Sequence, residues 1–376
     1  MRNKKFMKVA LIHDHLAQDG GAEKVLAVFA AMYPEAKIYT LLYDQKNISH
    51  LKGHEIDTSI IQRLPGGVKH YRWYLQFMPM AVEFFDLREF DLVISDTSSF
   101  AKGVITLPDT LHLCYCHTPT RYLWSDTHQY LNELKYNKYF KKIIGLVLNR
   151  LRLWDFCAAQ RVDFFMANSQ MVAGRIKKYY RRDSQVIYPP VETTEFHISD
   201  QMPTKEKEYF LAGCRLVPYK RIDLVIEAFN LLGDSCTLKI FGDGLDEERL
   251  KKIAANNPRI EFLGRVTDEE KARLYQNALA FINPQEEDFG ITPVESMASG
   301  RPVIAYRKGG VIETVVEGKT GLFFDEQKAG ALAEVLKSFR SEDFNPQEIW
   351  EHAQKFSVAR FKEQIEKFIA EKKAQI

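Results

Sequence analysis

The sequence is poor in cysteine, with five in 376 residues: Cys114, Cys116, Cys157, Cys214 and Cys236. No Cys-x-x-Cys occurs, and the odd count gives no disulfide framework, which fits a reducing compartment. Cys114 and Cys116 lie two apart in a strand-like run, so they share one face and are expected in the core. Long apolar runs are also missing. None approaches the roughly 20 residues that a spanning helix needs, so any membrane role is expected to be peripheral. The basic residues at the start lead into a very short apolar run ended by His13 and Asp14, which reads as a first strand and not as a signal peptide. There is no internal repeat and no low-complexity tract. A full Gly-x-Gly-x-x-Gly after the first strand is absent as well, so a dinucleotide is only weakly indicated.

What is present is a globular composition, 45% hydrophobic and 27% charged, in a chain long enough for two domains. The net charge of +2 hides an asymmetry. Residues 1–190 carry 26 Lys and Arg against 18 Asp and Glu, and the remainder carries 26 against 32. The basic first half suits an anionic partner, a membrane surface or a phosphorylated acceptor, unless the charge is spread over solvated faces.

Strand-like and helix-like stretches alternate. Expected strands are about Lys8 to Ile12, Ile38 to Leu42, Asp91 to Ser95, Leu111 to Cys116 and Phe164 to Ala167. A second series follows near Tyr209 to Gly213, Thr237 to Phe241, Ile260 to Leu263, Leu279 to Ile282, Pro302 to Ala305 and Gly321 to Phe324. The pattern predicts an α/β chain with two doubly wound, Rossmann-like parallel sheets and a ligand cleft between the domains. Tyr188-Pro189-Pro190 and the polar stretch Ser199 to Glu208 read as the linker. Domain bounds of 1–192 and 193–357 follow, with a last helix, about 358–376, that is expected to pack back on the first domain.

Two segments stand apart. Arg63 to Phe85 is aromatic and basic, and Tyr139 to Trp154 reads as a basic amphipathic helix. That helix suits a membrane surface, or a core-facing position with a solvated basic face, which is the commoner outcome.

The stretch Phe281 to Val303 organises the second half. It reads as a buried strand, an acidic loop from Glu286 to Gly290, and a helix with Thr292 as N-cap, Pro293 at its first position and Gly300-Arg301-Pro302 at its end. A helix start facing a glycine loop favours anions. Glu295 fits two roles equally, a ligand contact or the fourth member of a capping box, Thr292-Pro-Val-Glu295. Glu287, one of three consecutive acids, is either a site residue or solvated. Arg215-Leu-Val-Pro-Tyr-Lys220-Arg221 follows a strand end, and Pro218 and Tyr219 are expected to open the next helix. Two cations there oppose the helix dipole unless a polyanion such as a diphosphate lies between them; the alternative is a solvated basic turn. His117 is a candidate ligand group or a buried histidine held by neighbours. His13 and His15 flank Asp14, which suits a polar strand end better than a metal site.

Arg215-x4-Lys220 followed by Glu287-Asp-Phe-Gly-Ile-x3-Glu295 resembles the family 4 retaining glycosyltransferases. So do Gly20-Gly21-Ala22-Glu23, Tyr115-Cys116-His117-Thr118-Pro119, Tyr188-Pro189-Pro190-Val191 and Gly300-Arg301-Pro302-Val303. The resemblance covers essentially the whole chain and implies the GT-B fold. Within the family, His117-Thr-Pro-x-Arg121-Tyr-x-Trp124 and Arg215 to Arg221 look most like GDP-mannose-dependent mannosyltransferases of bacterial surface polysaccharide assembly. The resemblance implies that Arg215 and Lys220 hold the donor diphosphate and that Glu295 binds ribose hydroxyls. Glu287 would face the donor sugar, with backbone N–H groups around Phe289, Gly290 and Ile291 on sugar and phosphate. His117 would approach the transferred sugar, Gly20 and Gly21 would let the first loop come close to diphosphate or acceptor, and the backbone at Val266 would lie along the base.

No two aspartates stand two residues apart, so the Asp-x-Asp device of metal-dependent transferases is missing, and neither metal nor cofactor is expected. The expected partners are a nucleotide-sugar donor, GDP-mannose by preference, and a lipid-linked or oligosaccharide acceptor. A membrane surface is a further candidate partner, and nucleic acid is not one. The expected location is cytoplasmic, on the inner face of the cell membrane if peripheral. Competing readings are a UDP-sugar donor, a nucleotide-sugar epimerase, a non-catalytic nucleotide-sugar-binding subunit, and a membrane adaptor.

Overall fold

The computed structural model describes residues 7–18, 20–46, 48, 51, 53–134, 136–198, 209–232 and 236–375. The expected linker from Ser199 to Glu208 lies outside the described residues, as does Asp19. The described chain divides into two compact units, one running to Tyr188 and resumed from Lys362, the other Pro189–Phe361.

The first unit holds seven strands: β1 (Val9–His13), β2 (Lys37–Thr40), β3 (Ile56–Thr58), β4 (Leu92–Thr97), β5 (Leu111–Cys116), β6 (Phe164–Ala167) and β7 (Ser184–Val186). They form one sheet in the order β3-β2-β1-β4-β5-β6-β7, parallel throughout. Every residue of β1, β4 and β5 is buried, as a parallel sheet covered on both faces requires. Sequence order runs outward one way from β1 and the other way from β4. The β1/β4 junction is therefore the topological switch point, where strand ends open a crevice in this kind of sheet. One face packs Ile12, Tyr39, Val93 and Phe100 against Leu148 and Leu151. The other buries Cys114 and Cys116 with Phe165 and Tyr180, as their spacing implied.

The second unit holds β8 (Phe210–Gly213), β9 (Leu238–Phe241), β10 (Ile260–Gly264), β11 (Ala280–Asn283), β12 (Val303–Tyr306) and β13 (Gly321–Phe324). Their order is β10-β9-β8-β11-β12-β13, again parallel throughout, with the switch point between β8 and β11.

The structure departs from expectation in four places. Strands β3 and β7 carried no sequence signal, because each is a three-residue edge strand, Ile-Asp-Thr and Ser-Gln-Val. Pro218–Lys220 forms a 3-10 turn, Arg221 is left-handed at φ 55°, and the α-helix starts only at Ile222. Thr292 does not cap its helix, which begins at Ile291 behind Gly290 at φ 94°. The basic amphipathic segment belongs to a longer helix, Lys138–Arg161. Its first three turns expose apolar side chains, with Leu146 70% and Ile143 55% exposed, and not a basic face alone. Among the described residues, no helix is long and apolar enough to cross a membrane.

Candidate active site

In the second unit the predicted residues gather beyond the ends of β8 and β11, on either side of the switch point. Arg215 follows β8 by two residues, and its guanidinium donates to the Tyr219 hydroxyl at 3.2 Å. Lys220, on the 3-10 turn, donates through Nζ to Glu287 Oε1 in the loop after β11. The same oxygen accepts from Gln285 Nε2 at 2.9 Å, and among the described residues no donor reaches Glu287 Oε2. Burial alone would pull the Lys220 ammonium down, but the Glu287 carboxylate outweighs it and raises its pKa, so the ammonium keeps its charge. Lys220 is thus no unpaired cation at a helix start, which removes the electrostatic conflict its sequence position suggested.

Two glycines outside the predicted set hold the acidic loop. Glu287 pairs with Gly309 in an isolated parallel bridge, and Gly310 N donates to Glu287 O at 2.8 Å. A Cβ on Gly310 would meet Asp288 O and Phe289 Cα at 2.5 Å each. Only a residue without a side chain allows this approach. Phe289 is buried, and Gly290 turns the chain into the helix at Ile291.

Glu295 is not a capping-box residue. Its carboxylate accepts from Lys271 Nζ through Oε1 and from the Tyr275 hydroxyl through Oε2, both at 3.1 Å. Lys271 and Tyr275 stand four apart on the helix Asp268–Asn277, so they present to one face. Burial opposes the Lys271 charge, yet Glu295 and Asp268 keep its pKa raised. Val266 lies just past β10, partly buried.

The first unit brings together a second cluster at its own switch point. His13 ends β1, Asp96 lies near the end of β4, and His117 follows β5. Asp96 bridges the two rings, with Oδ2 2.9 Å from His13 Nδ1 and Oδ1 2.7 Å from His117 Nε2. Glu23, in the first turn of the helix Gly21–Met32, stands 3.8 Å from His13 Nε2. Burial works against a charged His13, but hydrogen bonding to Asp96 and the nearby Glu23 raise its pKa to about 10. Asp96 is held below the usual carboxylate range by both histidines in spite of its burial. His117 is the partly exposed member, with 14% of its side chain open and no partner on Nδ1 among the described residues. Gly20 precedes the same helix, and a Cβ there would stand 3.0 Å from Glu23 Oε2. Gly21 is exposed.

Asp14 is structural. Its carboxylate accepts from the Thr97 hydroxyl and from the backbone of Ser98, Phe100 and Ala101 at 2.7 to 2.8 Å, fixing the loop after β4. Sequence reading missed Asp96, Lys271, Tyr275, Gly309 and Gly310. The one available signal was Ser95-Asp96-Thr97, a polar end on an otherwise apolar strand.

Two doubly wound units with charged groups at the switch points define a class of proteins that bind ligands at strand ends. Known proteins narrow the class. The family model described as Glycosyltransferase Family 4 matches residues 19–195, and that described as Glycosyl transferases group 1 matches residues 194–373. The chain belongs to the family 4 glycosyltransferases and is an enzyme of that kind. It is similar to the alpha-1,3/1,6-mannosyltransferase ALG2 of Dictyostelium discoideum, 25% identical over 85% of this chain and 87% of the relative. The ALG2 of Rhizomucor pusillus is 23% identical over 98% and 92%. Among solved structures, HepE of Anabaena in complex with UDP superimposes with a TM-score of 0.71 at 18% identity, covering 97% of this chain and all of that one. The sucrose-phosphate synthase of Thermosynechococcus elongatus gives 0.73 at 16%, covering 98% and 100%. These likenesses make the fold GT-B.

Proposed function

We propose that the chain is a retaining, metal-independent α-mannosyltransferase that moves mannose from GDP-mannose to a lipid-linked or polysaccharide acceptor. The observation that carries this reading is the Lys220–Glu287 pair at the β8/β11 switch point, with Glu287 Oε2 open. A diphosphate that draws on Lys220 and Arg215 would loosen the pair and leave Glu287 to accept from a sugar hydroxyl. The two cations would stabilise the charge that develops as the donor C1–O bond breaks and the diphosphate leaves with the electron pair. A departing phosphate oxygen would take the acceptor's proton while the acceptor oxygen bonds to C1 on the same face. Glu295, anchored by Lys271 and Tyr275, keeps lone pairs for ribose hydroxyls. His117 would meet the transferred sugar through Nδ1, and Val266 and the Phe289-Gly290-Ile291 backbone would line the donor. The mannosyl choice is supported by the ALG2 relatives and by the Arg215 to Arg221 motif.

A second reading has support of its own. HepE is described with UDP and with UDP-glucose, so a UDP-sugar donor on the same site is the competitor. Thermal stabilisation by GDP, GDP-mannose, UDP and UDP-glucose, all in EDTA, separates the two, because a ligand that binds the native state raises its melting point with affinity. A shift with the guanosine ligands alone supports the mannosyl reading. A shift with the uridine ligands alone replaces the donor. No shift at all overturns a metal-free site, and donor binding without transfer to any acceptor leaves a nucleotide-sugar-binding subunit.

A further inference from the structure

The 3-10 turns at Tyr71–Phe77 and the start of the helix Lys138–Arg161 wall a groove of about 860 Å³ in the first unit. Leu75, Ile144 and Val147 form its floor, packed on the core beneath. Trp73, Phe140 and Ile143 stand on its rim and are 68%, 46% and 55% exposed. So many exposed large apolar groups beside one concavity mark a binding surface and not ordinary surface scatter. Lys69 and Arg72 lie on one wall, and the lining contains no Asp or Glu. Among the described residues neither cation has a carboxylate partner; Arg72 rests 5.8 Å over the Tyr71 ring. An apolar trough with unneutralised cations at one side is complementary to a molecule that has a hydrocarbon chain and an anionic head.

We propose that this groove holds the hydrocarbon chain of a single-chain, phosphate-headed amphiphile, with Lys69 and Arg72 on the phosphate. The proposal rests on the lipid-linked acceptor reading and narrows it to an acceptor whose phosphate adjoins its chain. The concavity is what favours one chain over a bilayer face. A floor of three apolar side chains below the rim gives a single chain apolar surface to enter, whereas a flat membrane contact would use the rim residues alone.

The test titrates the full chain with decyl and dodecyl phosphate below their micelle concentrations, with dodecanol and inorganic phosphate as controls, by calorimetry. Each methylene that enters the groove strengthens binding about fourfold, so dodecyl phosphate binds one to one and at least tenfold tighter than decyl phosphate. Dodecanol binds at least tenfold more weakly, and inorganic phosphate gives no measurable heat. Ile143→Asp, a change at an exposed rim position, weakens dodecyl phosphate at least tenfold, and Lys69→Gln with Arg72→Gln does the same. Equal binding of dodecanol, no chain-length dependence, or indifference to Ile143→Asp overturns the proposal. Binding to anionic vesicles with none to dodecyl phosphate overturns it in favour of a bilayer contact. Self-association lost on Ile143→Asp and untouched by dodecyl phosphate overturns it in favour of a second copy. The GDP-mannose thermal shift, measured on the same variants, is expected to be unchanged. Its absence from every variant and the parent, with chain binding intact, would remove the mannosyl donor and leave the groove.

Discussion

Asp96 holds His117 by a hydrogen bond of 2.7 Å to Nε2, and its other carboxylate oxygen is committed to His13 at 2.9 Å. The partly exposed ring is therefore oriented by a buried carboxylate whose charge is balanced from inside the sheet. With Nε2 on Asp96, the ring nitrogen left for a ligand is Nδ1.

This bridge predicts a stability profile. His13 gains protonation on folding, from an ordinary 6.5 to about 10, so its contribution is complete below 6.5 and is lost as pH rises toward 10. Asp96 is shifted the other way, so its contribution is present above its ordinary 3.8 and is lost as pH falls below it. Asp96→Asn removes the balance and should cost about 3–5 kcal/mol, the usual loss on breaking a buried pair. The gap between parent and variant in urea unfolding is expected to be largest between the two ordinary values, 3.8 and 6.5. Above that range it should shrink by up to about 1.4 kcal/mol per pH unit. A gap that stays flat from neutral to alkaline pH would show that His13 carries no charge in the folded chain.

Lys220→Ala and Glu287→Ala test the donor assignment from both sides of one contact. If Lys220 stabilises the departing diphosphate, its loss lowers kcat by about 10²–10³-fold, the range seen when one such electrostatic group is removed. Glu287→Ala also leaves the Lys220 ammonium, 16% exposed, without its carboxylate, so the variant should melt lower as well as turn over more slowly. Full transferase activity in either variant would refute the assignment.

Glu295 should behave differently, because it is poised for binding and not for charge development. Glu295→Gln keeps the shape but weakens the contacts from Lys271 and Tyr275 that fix the side chain. The expected result is a donor KM raised about tenfold or more with kcat little changed, in line with a hydrogen bond to a charged group. Lys271→Met should reproduce the effect in part. A fall in kcat at unchanged KM would move Glu295 into the chemical step.

The sequence made all six strands of the second unit and five of the first legible, since buried parallel strands are apolar runs between glycine and proline breaks. It did not reveal β3 and β7, where edge strands of three residues are too short and polar to stand out. Helix starts were read one to three residues wrongly at Thr292 and Tyr219. In each case a left-handed residue, Gly290 or Arg221, and not a side-chain cap, launches the helix. The candidate site residues that sit within a motif were visible. Their supports were not, because Asp96, Lys271 and Gly310 lie 21 to 24 residues away in sequence from His117, Glu295 and Glu287, a distance that no local pattern spans.

Gly310 offers the sharpest test of those supports. Its added Cβ would stand 2.5 Å from backbone atoms of Asp288 and Phe289, and backbone cannot swing aside as a flexible side chain does. Gly310→Ala must therefore push the Glu287–Phe289 loop away from the loop after β12, breaking the 2.8 Å bond from Gly310 N to Glu287 O. Both loops lie beyond the sheet, so the strands stay paired, and the melting point should fall only by what the shifted Phe289 loses in packing. A displacement near 1 Å is enough to cost on the order of a hundredfold in rate when it shifts groups that position a substrate. The expected outcome is a strong loss of transferase activity and a weaker donor-induced thermal shift in a folded protein. Wild-type turnover in Gly310→Ala would mean that the position of Glu287 has no bearing on the reaction, and Glu287 would have to be withdrawn from the site.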